Sequence, residues 1–354
     1  MTRPVLVTGA CGLLGTQVVR RLVAAGRSVV AVDLDSPATR ATVRSMGDVR
    51  FLPADITSPE AIRAVVLEAD PGAVIHLAAV IPPGAYRRPA VAERVNVDGT
   101  ANVVAAMRYQ ADPGRLILAS STAVYGSRNG AKDLGLCSAA TPPHPRDVYG
   151  AHKVAAETIV HNSGLNWAIL RLGGIIASDL ARRSDRDSIL MDAIIPSDNR
   201  IHTVHVAEAA EAFANAVDAD CLDQTLLIAG DESHMLRQHE FATHMMTIAG
   251  LGTRPSTRGR PGNPGDDEAW FLTDWMDTST ARAVLDFRPM PMDECIAQCR
   301  SELSRARVML RPLGYVAPRM LALMSPYRSM PGQWADPWGV VATRFGAAAL
   351  APAG

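Results

Sequence analysis

Tyr149 and Lys153 stand four residues apart in Tyr-Gly-Ala-His-Lys, a spacing that puts both side chains on one face of a helix. A neighbouring ammonium favours the phenolate and draws a tyrosine down from its usual value of about 10. A phenol so tuned can give or take the proton of a substrate alcohol or carbonyl, and the lysine can also hold a ribose. The segment Ala119-Ser-Ser-Thr-Ala-Val-Tyr-Gly126 offers hydroxyls to the same oxygen from the end of a strand. Ser121 is the one expected against the substrate oxygen. Ser120 and Thr122 are read as capping or packing groups.

A second constellation lies at the start of the chain. In Val5-Leu-Val-Thr-Gly-Ala-Cys-Gly-Leu-Leu-Gly15 the glycines are Gly9, Gly12 and Gly15, with Cys11, Leu13 and Leu14 among them. A short β-branched strand, a glycine turn and a helix start make an anion site, because free N–H groups and the helix dipole both face the ligand. The three glycines serve the tight turn, the approach to a pyrophosphate, and close helix–strand packing. The next strand, Ser28-Val-Val-Ala-Val-Asp33, ends in an acid at the distance a dinucleotide site requires. Asp33 would accept bonds from ribose hydroxyls and repel a 2′-phosphate, which favours NAD over NADP.

The elements that must position these groups alternate between strand and helix, which indicates a doubly wound parallel-sheet Rossmann fold of the α/β class. Strands are expected at 49–55, 73–79, 115–120 and 167–172. Helices are expected at 37–47, from Ser58-Pro-Glu60 onward, at 89–110 and at 149–162. Past Gly174 the pattern is less regular, with a helix at 204–217, a strand at 226–229, an exposed loop at 253–267 and a helix at 289–309. Residues 1–175 therefore form a cofactor-binding domain, to which 201–230 return, and 176–310 a smaller substrate-binding part. Residues 311–354, rich in Pro, Met and Gly, read as an irregular extension.

The composition excludes several classes. Thirty-five basic and 36 acidic side chains leave a formal net charge of −1, so there is no electrostatic case for nucleic acid or an anionic membrane. No apolar run approaches a membrane span, and the first strand, broken by glycines, is no signal peptide. Met320–Met324 is far too short to be an anchor. Five scattered cysteines suit a reducing compartment, so a cytoplasmic location is expected. Cys295 and Cys299 read as packing residues, and no histidine set has metal-ligand spacing. His76 is expected to be a satisfied core histidine, Trp270 and Trp275 packing anchors, and Arg182, Arg183 and Arg186 a solvated face.

The chain resembles the extended short-chain dehydrogenase/reductase superfamily, also called the NAD-dependent epimerase/dehydratase family. The pieces that carry the likeness are Thr8–Gly15, Asp33, Asp55-Ile56, His76-Leu-Ala-Ala79, Asn96–Thr100, Ser120–Gly126 and Tyr149–Lys153, in that order. The resemblance implies that Asp55 and Ile56 flank the adenine and that Leu77, Ala78 and Ala79 line the cofactor. It implies that Asn96 supports the active-site helix and that Ser121, Tyr149 and Lys153 are catalytic, with Tyr149 and Lys153 also touching NAD. It further implies a homodimer packed through the Asn96 and Tyr149 helices. Three features depart from the nucleotide-sugar members: Leu172-Gly-Gly after Arg171, an indistinct arginine signature around Arg200, and the apolar loop Val80–Tyr86.

The expected activity is thus NAD-dependent hydride transfer at a secondary alcohol or ketone carbon, with no metal. A sugar nucleotide and a steroid-like alcohol both remain open as the small-molecule substrate. The alternatives are an epimerase or dehydratase that recycles bound NAD and a non-catalytic NAD-binding sensor.

Overall fold

The computed structural model describes residues 3–178, 186–251, 259–303, 323, 325–328 and 330–351. Its first half repeats one unit, a short apolar strand followed by a helix. In chain order these are β1 (Val5–Thr8), α1 (Leu13–Ala24), β2 (Val29–Val32), α2 (Pro37–Arg44), β3 (Arg50–Phe51), α3 (Pro59–Ala69) and β4 (Ala73–His76). The helices start where the chain supplies caps: Ser36 and Ser58 each accept a bond from the third helical amide, and a proline follows each at the first position. A single turn α4 (Gly84–Arg87), α5 (Pro89–Glu93), a π turn (Arg94–Asp98), α6 (Gly99–Met107), β5 (Arg115–Ser121), α7 (Val148–His161) and β6 (Trp167–Leu172) complete this half.

The second half adds β7 (Gly174–Ile176), α8 (Arg186–Ile194), β8 (Arg200–His205), α9 (Val206–Asn215), β9 (Gln224–Ile228), β10 (Met235–Arg237), α10 (Gln238–Ala249), α11 (Ser279–Leu285) and α12 (Met292–Glu302). Seven strands pair in parallel in the order β3-β2-β1-β4-β5-β6-β9. This is the doubly wound arrangement, and its order reverses between β1 and β4, where such sheets bind ligands. α1 and α9 cover one face with Val18, Val19, Leu22 and Phe213. α3, α6 and α7 cover the other with Ile62, Val66, Val103 and Val160. A smaller sheet, β10-β8-β7, stands beside it.

Several elements differ from the sequence reading, each for a tertiary reason. Of the strand expected at 49–55 only Arg50–Phe51 forms regular strand, at the sheet edge, although Leu52 N and Ala54 N still donate to Ala31 O at 3.0 Å and Asp33 O at 3.1 Å. The helix at 89–110 is interrupted by the π turn, where the Asn96 amide donates to Val80 O at 2.9 Å and its oxygen accepts from Val80 N at 2.7 Å. The helix expected from Val204 begins at Val206, because Arg200–His205 pair with β7 and β10.

The C-terminal extension also departs from its irregular reading. Pro337–Phe345 form a helix (α13), started by Asp336, whose Oδ1 accepts from Gly339 N at 2.9 Å. Trp338 and Val341 are buried against Tyr86, Phe271 and Tyr327. The Asp336-Pro337 pair is itself a helix-start signal, masked in the sequence by the surrounding Pro, Gly and Met. Met320–Met324 lie outside the described residues apart from an exposed Leu323. Among the described residues no helix is long and apolar enough to cross a membrane. All five cysteines are unpaired thiols, and Cys295 and Cys299 are buried in an apolar cluster with Phe241 and Ile248.

A buried charge pair joins α7 to the sheet. Arg171 of β6 grips Glu157 of α7 through Nε at 2.9 Å and Nη2 at 2.7 Å, with side chains 5% and 4% exposed. Ser120 Oγ donates to the same carboxylate at 2.5 Å, and Arg171 also donates to the Tyr125 hydroxyl at 2.8 Å. Removing one member strands the other in a dry site. Arg171→Leu is therefore expected to cost about 3–5 kcal/mol of stability. Arg27→Ala, which breaks the exposed pair with Asp218, should cost less than about 1 kcal/mol. Urea unfolding of the two variants checks this, and equal losses would refute the ranking.

Candidate active site

β5 ends at Ser121, whose hydroxyl accepts from Ala123 N at 3.2 Å and starts a turn of 3₁₀ helix. α7 begins against that turn. Asp147 caps it, with Oδ1 accepting from Gly150 N at 2.8 Å. A Cβ on Gly150 would sit 2.4 Å from the Ala123 carbonyl oxygen, so only glycine lets the helix come this close. That approach brings the Tyr149 hydroxyl close enough to Ser121 for the serine hydroxyl to act on the phenol. One turn on, the buried Lys153 Nζ donates to Ala119 O at 2.8 Å and lies 5.8 Å from the centre of the Tyr149 ring. Ser121, Tyr149 and Lys153 are thus gathered at the C-terminal end of β5.

The electrostatics of this trio correct one expectation. Burial pushes the Tyr149 phenol well above its ordinary value; the Ser121 bond pulls it back and the Asp147 carboxylate raises it further. Burial draws Lys153 itself down to about 8, against the pull of Glu157. His76 is a satisfied core residue: its Nδ1 is 2.7 Å from Thr8 Oγ1, its Nε2 is 3.1 Å from Thr100 Oγ1, and burial lowers it to about 3.

At the switch point lies a cleft of about 370 Å³ lined by Gly9, Cys11, Gly12, Asp33, Asp55, Ile56, Leu77, Ala78 and Ala79. Asp33 Oδ2 accepts from Cys11 N at 2.9 Å, tying the acid to the glycine turn, and Oδ1 accepts from Leu34 N at 2.8 Å. Asp55 is exposed, and its Oδ1 takes Thr57 N at 2.9 Å. Gly9 has φ +66°, and a Cβ there would meet Ala78 N at 2.7 Å, so the turn presents bare backbone. Thr39, Val80 and Val95 also line the cleft; they carry no chemical signal in the sequence and are brought there by their elements.

A second cavity of about 300 Å³ shares Cys11 and Gly12 and adds Leu13, Thr16 and the start of α9 at His205 and Val206. α1 has no side-chain cap at Gly12, which leaves its leading amides for an anionic ligand. These residues suit a dinucleotide: an acid for the ribose, bare turn backbone, and an uncapped helix start. Leu14 and Gly15 line neither cavity. Leu14 packs on the core, and Gly15 sits where a Cβ would be 2.2 Å from Gly9 O. Asn96 likewise lines neither; it clamps the Val80 backbone.

In the second half of the chain, Arg200 and Arg237 lie over the Trp275 ring at 4.7 and 5.4 Å. Arg200 lies 3.7 Å from the Asp274 carboxylate, and Arg237 donates to Asp198 O at 2.6 Å. Trp270 is fully buried, with Nε1 donating to Asn263 O at 3.0 Å. Arg182 and Arg183 lie outside the described residues, and Arg186 opens α8.

Comparison with known proteins agrees with this architecture. The family model described as the NAD dependent epimerase/dehydratase family matches residues 5–196, more than half of the chain. UDP-glucose 4-epimerase 2 of Oryza sativa subsp. japonica is 30% identical over 182 residues, 48% of this chain and 43% of that protein. D-erythronate dehydrogenase of Cupriavidus necator is 28% identical over 167 residues, 44% of this chain and 49% of that one. The chain thus spans about half the length of the curated relatives it matches. In structure, the UDP-glucose 4-epimerase of Thermus thermophilus in complex with NAD superimposes with a TM-score of 0.65 at 23% identity, covering 84% of this chain and 99% of that one. The likeness in structure is one of fold. The chain belongs to the NAD-dependent epimerase/dehydratase family, a family of enzymes whose cofactor is NAD.

Proposed function

We propose that this enzyme moves a hydride at a secondary alcohol or ketone carbon, with Tyr149 as the acid–base group. The observation that carries the reading is the convergence of Ser121, Tyr149 and Lys153 at the end of β5, on the ligand-binding edge of the sheet. When bound, NAD supplies the hydride acceptor or donor. Tyr149 gives or takes the proton of the substrate oxygen, and Ser121, beside the phenol, orients that oxygen. Lys153 contributes a positive charge beside the ring and a donor for a ribose. Gly9, Cys11, Gly12, Leu13, Leu14 and Gly15 form the turn and helix start for the pyrophosphate. Asp33 holds the adenosine ribose, and Asp55, Ile56, Leu77, Ala78 and Ala79 enclose the adenine end. In this reading Asn96 acts indirectly, by holding the Val80 loop.

A second reading, an epimerase that recycles bound NAD on a nucleotide sugar, is favoured by the names of the epimerase relatives. Against it, Arg200 and Arg237 are engaged with Trp275, Asp274 and Asp198 rather than presented to a pyrophosphate. The cofactor content of freshly purified protein separates the two. Empty protein that takes up added NAD supports the dehydrogenase; tightly retained NAD supports the epimerase.

Three outcomes are expected. Tyr149→Phe should lower turnover by about 10²–10⁴-fold while NAD still binds; full turnover in that variant would refute the acid–base role. Asp33→Ala should weaken NAD by roughly tenfold to a hundredfold and narrow its preference over NADP, as read by calorimetric titration; an unchanged preference would remove Asp33 from the ribose site. The protein should sediment as a homodimer built on α6 and α7, which lie side by side on one face of the sheet. A monomer in analytical ultracentrifugation at micromolar concentration would exclude that assembly.

A further inference from the structure

Tyr86 and the C-terminal segment Pro337–Ala351 stand outside the cofactor cleft and the Ser121–Tyr149–Lys153 trio, yet both converge on the residue that starts the catalytic helix. Asp147 is 0% exposed and precedes Tyr149 by two residues. One of its carboxylate oxygens holds the first turn of α7 through Gly150 N, and the other accepts from the Tyr86 hydroxyl at 2.5 Å. Tyr86 is itself fully buried, in the turn α4 that follows the Val80 loop. Burial raises the Asp147 carboxyl to about 6, while the Tyr86 and Gly150 bonds pull it back. A buried carboxylate with two donors is held in one orientation; with one donor it would be under-satisfied and free to turn.

The C-terminal segment grips the same pair from the other side. Leu350 forms an antiparallel bridge with Asp147, and Ala351 N donates to Arg146 O at 3.1 Å. Phe345 of α13 packs on the Tyr86 ring with centroids 5.6 Å apart. Asp187 of α8 receives Arg87 of α4 at 2.6 Å and Arg344 of α13 at 2.8 Å. The segment therefore bonds to the backbone before α7, the side chain that orients its cap, and the first described helix of the substrate part. A generic surface tail would need none of these three contacts to meet at one helix start.

We propose that Tyr86 and the segment Pro337–Ala351 are positioning elements for Tyr149: Tyr86 orients the Asp147 carboxylate, Asp147 starts α7, and the segment clamps both. The catalytic meaning of this device rests on the acid–base reading of Tyr149, but the device itself is testable without a substrate. Hydrogen exchange of the full chain saturated with NAD reads it directly. Tyr86→Phe keeps the ring against Phe345 and deletes only the hydroxyl; Ala351→Pro removes the N–H that bonds Arg146 and puts a ring methylene in its place.

Each variant should speed exchange of amides 148–153 by about fivefold to tenfold, with β1 and β4 still protected and NAD affinity unchanged. Asp147→Asn, which keeps a capping oxygen, should exchange more slowly there than Asp147→Ala. Tyr109→Phe, at an exposed site, should leave the whole pattern as it was. Wild-type exchange at 148–153 in both Tyr86→Phe and Ala351→Pro would overturn the proposal, as would loosening of β1 and β4 to the same extent. Should Ala351→Pro or Asp147→Ala fail to fold, Tyr86→Phe alone decides by the same two criteria. A wrong reaction assignment would appear instead as full turnover in Tyr149→Phe, with the exchange results untouched.

Discussion

The placement of α7 on the ends of β5 and β6 is the constraint on which the rest of this enzyme depends. An ion pair with side chains only 4–5% exposed, Glu157 with Arg171, locks the helix to the sheet one turn beyond Lys153. Ser120, Tyr125 and the Ala139 carbonyl add further bonds to that pair. A half-satisfied network here would cost more than an apolar contact, so its value lies in specifying one arrangement. With α7 so fixed, Lys153 reaches the Ala119 carbonyl and Tyr149 reaches Ser121. The candidate chemistry is a consequence of how one helix is seated.

The cofactor end depends on a different economy, that of missing side chains. Gly9 turns with positive φ under the Ala78 backbone, and Gly15 nests on the Gly9 carbonyl. These approaches keep the ends of β1 and β4 in close contact, with the cleft lying just beyond them. Asp33 closes the arrangement by bonding the Cys11 amide, so one carboxylate both shapes the turn and lines the cleft. Leu77, Ala78 and Ala79 line the same cleft just past the end of β4 at His76. Asn96 then anchors the next loop through Val80.

The two ends are joined by packing that carries no motif. Tyr86, Phe271, Trp338 and Val341 form one apolar cluster between the Val80 loop, the substrate part and the C-terminal helix. Asp187 adds charge to the same junction with Arg87 and Arg344. The arginines of the small sheet, Arg200 and Arg237, pack on the Trp275 ring.

The sequence by itself determined the parallel doubly wound sheet, the glycine turn with Asp33, and the identity of Ser121, Tyr149 and Lys153 as a group. Those features are local: a strand ends, a turn needs glycine, and two side chains four apart share a helix face. The helix starts at Ser36 and Ser58 were equally legible, because a cap and a proline are adjacent in the chain. What only the tertiary structure decided involves partners distant in sequence. The π turn at Asn96 exists because Val80 is there to be held, and Arg200–His205 became a strand because β7 and β10 flank it. The upward push on Tyr149 comes from burial by the surrounding fold, which outweighs anything a lysine four residues away could signal. The C-terminal helix shows the limit most clearly. Its start signal was present at Asp336-Pro337, but its burial against Tyr86, some 250 residues earlier, is set by long-range packing that composition does not encode.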